Sequence, residues 1–222
     1  MRPRRRLPVP LLLTAVLLAP IPLAAQFEDP PSPGEEPSSE DTLFEQSDLG
    51  NVTQAAQFAY RGGQRDLDAA AKLARKAAEA PSEDKRQALL EKRTKALQQA
   101  IEKFQEAIGF QPDLLDAYTG LGTALRELGL HGDALQVHAR ALEADGDREE
   151  DFRGWAGSLL ALNMLGDATT AYTRLAASRP DQAAILMETM KAWLAEKQTD
   201  PGDLSPEDVR RLADWIAQQE AG

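Results

Sequence analysis

His131 and His138 are the only histidines in a chain of 222 residues, and no cysteine accompanies them. That pair sets the ceiling on the metal and proton-transfer chemistry open to the chain. Seven positions apart, the two rings fall near one face of a helix, but no second helix offers carboxylates at metal-ligand spacing. His138 lies on a packing column and His131 at a turn between helices, so both read as structural and no metal is expected. Without cysteine there is no disulfide, thiolate site, thiol nucleophile or covalent haem attachment. Gly120-x-Gly122 opens like a nucleotide-binding loop, yet Leu125 stands where the third glycine belongs and no hydrophobic strand precedes it. Glu149-Glu150-Asp151 open a helix, where they answer the positive end of its dipole rather than form a paired-carboxylate active site. Asn51-Val52-Thr53 matches a glycosylation acceptor, a pattern common by chance. No acid, base and nucleophile cluster, so the sequence predicts no enzyme, no catalytic residue and no cofactor.

The elements that carry these residues repeat. Small residues recur every 34 positions at Ala100, Ala134 and Ala168, and rings follow at Phe104, His138 and Tyr172. Compact or aliphatic residues come next at Ala107, Ala141 and Leu175, and Pro112, Gly146 and Pro180 close the units. A 34-residue period of paired helices is the mark of a stacked-helix solenoid. Alanine-rich runs, scarce β-branched residues and 5% aromatics favour helix over strand throughout.

Residues 1–25 carry the order of a secretory signal peptide: a basic start from Met1 to Arg6, an apolar run from Leu11 to Ala19, and small residues at Leu23-Ala24-Ala25. Prolines at 8, 10, 20 and 22 bracket the run, leaving it shorter than the roughly 20 residues of a spanning helix. Gln26 occupies the place of a lipid-bearing cysteine. Export is therefore predicted, to the periplasm or alternatively to the extracellular space, with no stable membrane insertion after cleavage. Losing the four arginines of this segment leaves 21 basic against 36 acidic residues, so the formal charge moves from −11 to −15. Such a chain lacks the basic face that phosphates require, which argues against nucleic acid as a partner.

Residues 26–50 hold eight carboxylates, four prolines and no basic residue, the composition of a disordered, solvated linker. Residues 51–81 form an N-terminal helical segment with a break at Gly62-Gly63. Residues 82–197 carry the repeats, and 198–222 a linker and a C-terminal helix. From Ser82 no glycine or proline intervenes until Gly109, and Leu90, Leu97, Ile101, Phe104 and Ile108 share one face. One helix of about 42 Å is preferred there over two. The next unit pairs helices near Asp113–Leu128 and Asp133–Ala144 about Gly129 and Gly132. The one after pairs Glu149–Leu165 with Asp167–Ser178 about Gly166, and Asp181–Lys197 adds a single first-type helix. Ser205-Pro206-Glu207-Asp208 supplies a cap, a proline at the first helical position and acids for the dipole.

This pattern resembles the tetratricopeptide repeat family. Tyr118, Leu121, Gly122 and Leu125 fit the family's first helix, and Phe152, Trp155, Ala156 and Leu159 repeat it with alanine for glycine. Ala134, Ala168 and Tyr172 fit the second helix, from which His138 and Gly146 depart. The resemblance implies an all-α fold: a short right-handed solenoid of helical hairpins over 82–197, with flanking helices, each hairpin lending its neighbour an apolar wall. It further implies that the first helix of each pair lines a concave face that binds a protein or peptide. By repeat position that face takes Asp116, Thr119, Thr123 and Arg126 from one unit and Glu150, Arg153, Gly157 and Leu160 from the next. Met187, Lys191 and Leu194 come from the last helix. Arg126 and Arg153 would be its anchors, since a guanidinium suits bidentate capture of a carboxylate. Lys85 and Leu89 stand where a carboxylate-clamping member has lysine and asparagine, so that clamp is not expected. The implied function is a non-enzymatic scaffold or adaptor of the cell envelope. The alternative is a self-assembling structural subunit, joined through an end that bears Trp193 and Leu194.

Overall fold

Proline and glycine decide where this chain bends. The computed structural model describes residues 39–200, 202 and 204–221, and among them are eight helices and no strand. The expected signal segment, residues 1–25, and residues 26–38 of the expected linker lie outside the described residues. The chain divides into two units, Met1–Thr42 and Leu43–Gly222, and the packing below belongs to the second.

Helix α1 runs Ser39–Ala78, so it begins inside the stretch expected as linker. Pro37 is the last proline before Pro81, so no proline interrupts the helix between them. The expected break at Gly62-Gly63 is also absent, because both glycines lie within α1. Helix α2 (Glu83–Phe110) is unbroken, and Ser82 Oγ accepts from the Lys85 N–H at 3.4 Å at its start. Then follow α3 (Leu115–Glu127), α4 (His131–Ala144), α5 (Glu149–Ala161), α6 (Leu165–Ser178), α7 (Pro180–Thr199) and α8 (Pro206–Ala221). Each of α2 to α7 packs on the helix that follows it, while α3 also lies against α5 and α5 against α7. The odd helices α3, α5 and α7 are thus successive neighbours.

The two hairpin turns close identically, 34 residues apart. Gly129 has φ 79° and Asn163 has φ 59°, the left-handed region that glycine and, next to it, asparagine tolerate. The Leu130 N–H donates to the Leu125 carbonyl at 2.9 Å and the Gly129 N–H to Arg126 at 2.9 Å. Met164 donates to Leu159 at 3.1 Å and Asn163 to Leu160 at 2.9 Å in the same way. This is the double hydrogen bond of a Schellman motif. The second turn therefore sits at Asn163 rather than at the expected Gly166, which lies in the first turn of α6 as Gly132 does in α4.

Rings from the even helices wedge between odd ones, and glycines make the room. Phe104 of α2 is fully buried. A Cβ on Gly63 of α1 would come within 2.8 Å of its ring, and one on Gly120 of α3 would overlap it. This close approach explains why α1 carries glycine at mid-helix. His138 of α4 is held likewise between Gly122 of α3 and Gly154 of α5. Tyr172 of α6 instead meets Trp215 of α8 edge-on, with centroids 5.3 Å apart. Gly120→Ala and Gly154→Ala are each expected to cost about 1–3 kcal/mol by overpacking. Gly132→Ala, in a helix with open space around it, should stabilise by about 0.4–1 kcal/mol. Urea denaturation of the three variants checks both signs.

Helix α8 folds over α7. Leu212 and Ile216 join Leu186, Met190 and Leu194 in one buried cluster, and Lys191 pairs with Glu220 across the two helices. Ser205 caps α8, its Oγ accepting from the Asp208 N–H at 3.1 Å. No described helix is long and apolar enough to cross a membrane.

Candidate functional site

A groove of about 640 Å³ runs across the C-terminal parts of α3, α5 and α7. Small residues line it as well, Gly157 and Ala161 of α5 and Ala192 of α7, and leave the space open. Arg126 comes from α3, and its guanidinium lies 3.6–3.8 Å from where a Gly157 Cβ would stand. Trp193 comes from α7, with Lys197 Nζ 6.0 Å from its ring centroid. Two carboxylates share the lining, but both are spoken for: Arg93 pairs with Glu127, and Lys197 with Glu196 at 3.1 Å. Among the described residues no carboxylate pairs with Arg126. Its positive charge faces the groove uncompensated, beside a half-buried indole.

Of the residues placed on the concave face by repeat position, Arg126 and Gly157 line this groove together. Four others are buried: Thr119 (6% exposed), Leu160 (0%), Met187 (8%) and Leu194 (8%). Repeat position transfers the helix face but not the depth. Thr119 turns towards Asp151, while Leu160, Met187 and Leu194 fall under the cluster that α8 completes. Asp116, Glu150, Arg153 and Lys191 are exposed, with Thr123 half-buried. Three of these are already engaged: Asp116 with Arg148 at 2.8 Å, Arg153 with Glu149 one turn earlier at 2.8 Å, and Lys191 with Glu220. Arg153 does not line this groove. Trp193 does. It stands on the 34-residue column of Leu125 and Leu159, whose side chains are buried. A larger ring on the same column signals a side chain that reaches beyond the core.

The densest polar arrangement lies elsewhere, around a carboxylate that is sealed from water. Asp151, opening α5, is completely buried, so its part exceeds that of a dipole partner at a helix start. Its carboxylate accepts from His138 Nδ1–H at 2.9 Å, Thr119 Oγ1–H at 2.8 Å and Arg148 Nε–H at 2.7 Å. Arg148 also reaches Asp116 at 2.8 Å and Thr119 at 2.9 Å through Nη2. A carboxylate only accepts, which fixes the proton of His138 on Nδ1. Nε2 has no partner and is packed against Gly122 and Gly154. Burial alone would push the Asp151 carboxyl up, but the bonds from His138, Arg148 and Thr119 outweigh it and hold it below the usual carboxylate range. Threonine, histidine and aspartate invite comparison with a nucleophile, base and orienting acid. Here the Thr119 hydroxyl is bonded to the acid instead of the imidazole, so the order that activates a nucleophile is not formed. The cluster ties α3, α4 and α5 together; it departs from the apolar ring column because His138 needs Asp151 to be buried at all. No protein family model matches the chain.

Proposed function

We propose that the chain is a tetratricopeptide-type helical scaffold of the cell envelope that captures a polypeptide in the groove of α3, α5 and α7. The observation that carries this is the joint lining by Arg126, Gly157 and Trp193: an unpaired guanidinium and an indole beside a strip of small residues. The volume falls within the 300–1,000 Å³ usual for ligand sites, and arginine and tryptophan are the residue types that dominate interface energetics. The 34-residue columns and the two matching hairpin turns support a repeat solenoid, and residues 1–25 supply the export signal. The seat of α8 on α7 covers Leu194, which favours capture over end-to-end assembly.

Peptides selected from a random phage library against the full chain should lose at least tenfold in affinity for the Arg126→Ala, Trp193→Ala double variant, with helicity by circular dichroism unchanged. Selection of peptides that bind both forms equally would overturn the groove as the capture site. Export has its own check: the envelope fraction of a bacterial host should yield a chain whose first residue is Gln26, and a chain retained in the cytosol refutes that assignment.

A further inference from the structure

The groove's unpaired cation specifies the chemistry of what it holds. We infer that its occupant is an extended polypeptide segment of another protein, carrying an Asp or Glu side chain on Arg126 and a large apolar side chain on Trp193. This rests on the reading of the groove as a peptide site.

Charge comes first. Glu127 and Glu196 are neutralised within the chain by Arg93 and Lys197, and Arg126 alone among the charged lining residues has no described counter-ion. A guanidinium left open at a concave surface is suited to a planar, bidentate anion, which a carboxylate is. Spacing comes next. Arg126 lies over Gly157 of α5 and Trp193 belongs to α7, and axes of packed helices stand about 8–10 Å apart. An extended chain advances about 3.3 Å per residue, so acid and apolar anchor come from residues about three apart. Apolar surface then continues past the groove: Leu130, Leu162 and Met164 are 46%, 39% and 37% exposed. They sit in the two turns whose neighbours Glu127, His131, Ala161 and Asn163 line it. Exposed apolar residues grouped at a groove's rim mark a contact surface. A side-chain acid is favoured over a chain terminus because the apolar rim of Leu130, Leu162 and Met164 offers contact to a segment that continues past the groove.

The test uses the full chain and fluorescent twelve-residue peptides with randomised flanks around Leu-x-x-Glu, C-terminally amidated so that no terminal acid remains. Versions with Gln or Lys for Glu, and Gln peptides with a free C-terminal acid, are measured beside them by anisotropy. The Glu pool should bind at least tenfold more tightly than the Gln pool and lose that advantage in 0.5 M salt. Arg126→Gln should erase the difference and Arg126→Lys restore part of it, with unchanged thermal unfolding because Arg126 holds no internal ion pair. Trp193→Ala should weaken every pool. Equal binding of Glu and Gln pools, or preference for the free terminal acid, overturns the side-chain assignment while peptide capture stands if Trp193→Ala still weakens it. No binding of any pool, or binding untouched by Trp193→Ala, overturns capture itself and the inference with it.

Discussion

Asp151→Asn is expected to destabilise the protein by about 3–5 kcal/mol, the usual penalty for removing one partner of a buried ionic cluster. With total stabilities of about 5–15 kcal/mol, that is a large fraction. The amide can accept from only one oxygen and adds two donors among groups that already donate: His138 Nδ1, Thr119 Oγ1 and Arg148 Nε. Urea titration at neutral pH measures the loss. The acid limb separates this cluster from a generic core defect. Asp151 has its carboxyl held below the ordinary value in the folded chain, so its stabilisation is complete above the unfolded value of about 3.9. It fades as pH falls through the lower folded value. The native chain should therefore lose stability steeply below about pH 4, and the asparagine variant should show a shallower acid slope. Parallel slopes would remove the electrostatic account. A double replacement, His138→Phe with Asp151→Leu, should recover much of the loss, since an apolar substitute for a buried ion pair is often neutral and Phe104 shows that the column accepts a benzyl ring.

Phe104→Ala should cost about 3–5 kcal/mol, as for other fully buried phenylalanines. Its ring fills the space between Gly63 of α1 and Gly120 of α3 and stands 6.0 Å from Tyr60. The contacts it loses are those that hold α1 in place, so hydrogen exchange should rise in α1 more than in α5 to α8. A double-mutant cycle gives the sharper readout. Gly120→Ala clashes with the Phe104 ring and with no other side chain among its nearest neighbours. Its penalty should therefore vanish in the Phe104→Ala background. An undiminished penalty there would mean that Gly120 acts through its own backbone.

The helices and their order were legible because they follow from periodicity, and the columns at 100, 104 and 107 place their residues inside as expected: Ala100, Phe104 and Ala107 are all fully buried. Glycine was harder to read. At Gly62-Gly63 it serves a ring from another helix instead of a bend, and at Gly166 it opens a helix while Asn163 makes the turn. The same residue answers two different steric demands, and only a tertiary neighbour tells them apart. The 34-residue offset from Gly129 to Asn163 was the available clue. In the groove, Arg126 and Gly157 were legible from repeat position. Arg153 was not, because its side chain pairs with Glu149 one turn earlier, and Leu194 was not, because the helix packed over it follows a six-residue connection that breaks the repeat. Asp151 carried no sequence signal of burial; an acid at a helix start is explained without it.

The paired glycine seats have a consequence for modularity. The seat from Gly63 and Gly120 meets a hydrocarbon ring, and the one from Gly122 and Gly154 meets an imidazole tethered to a carboxylate. Swapping the two hairpins would set a benzyl group against Asp151 with nothing to donate to it, and strand the histidine in a site that offers no acceptor. Although the units share a period they are addressed individually, and the chain accepts them in one succession only.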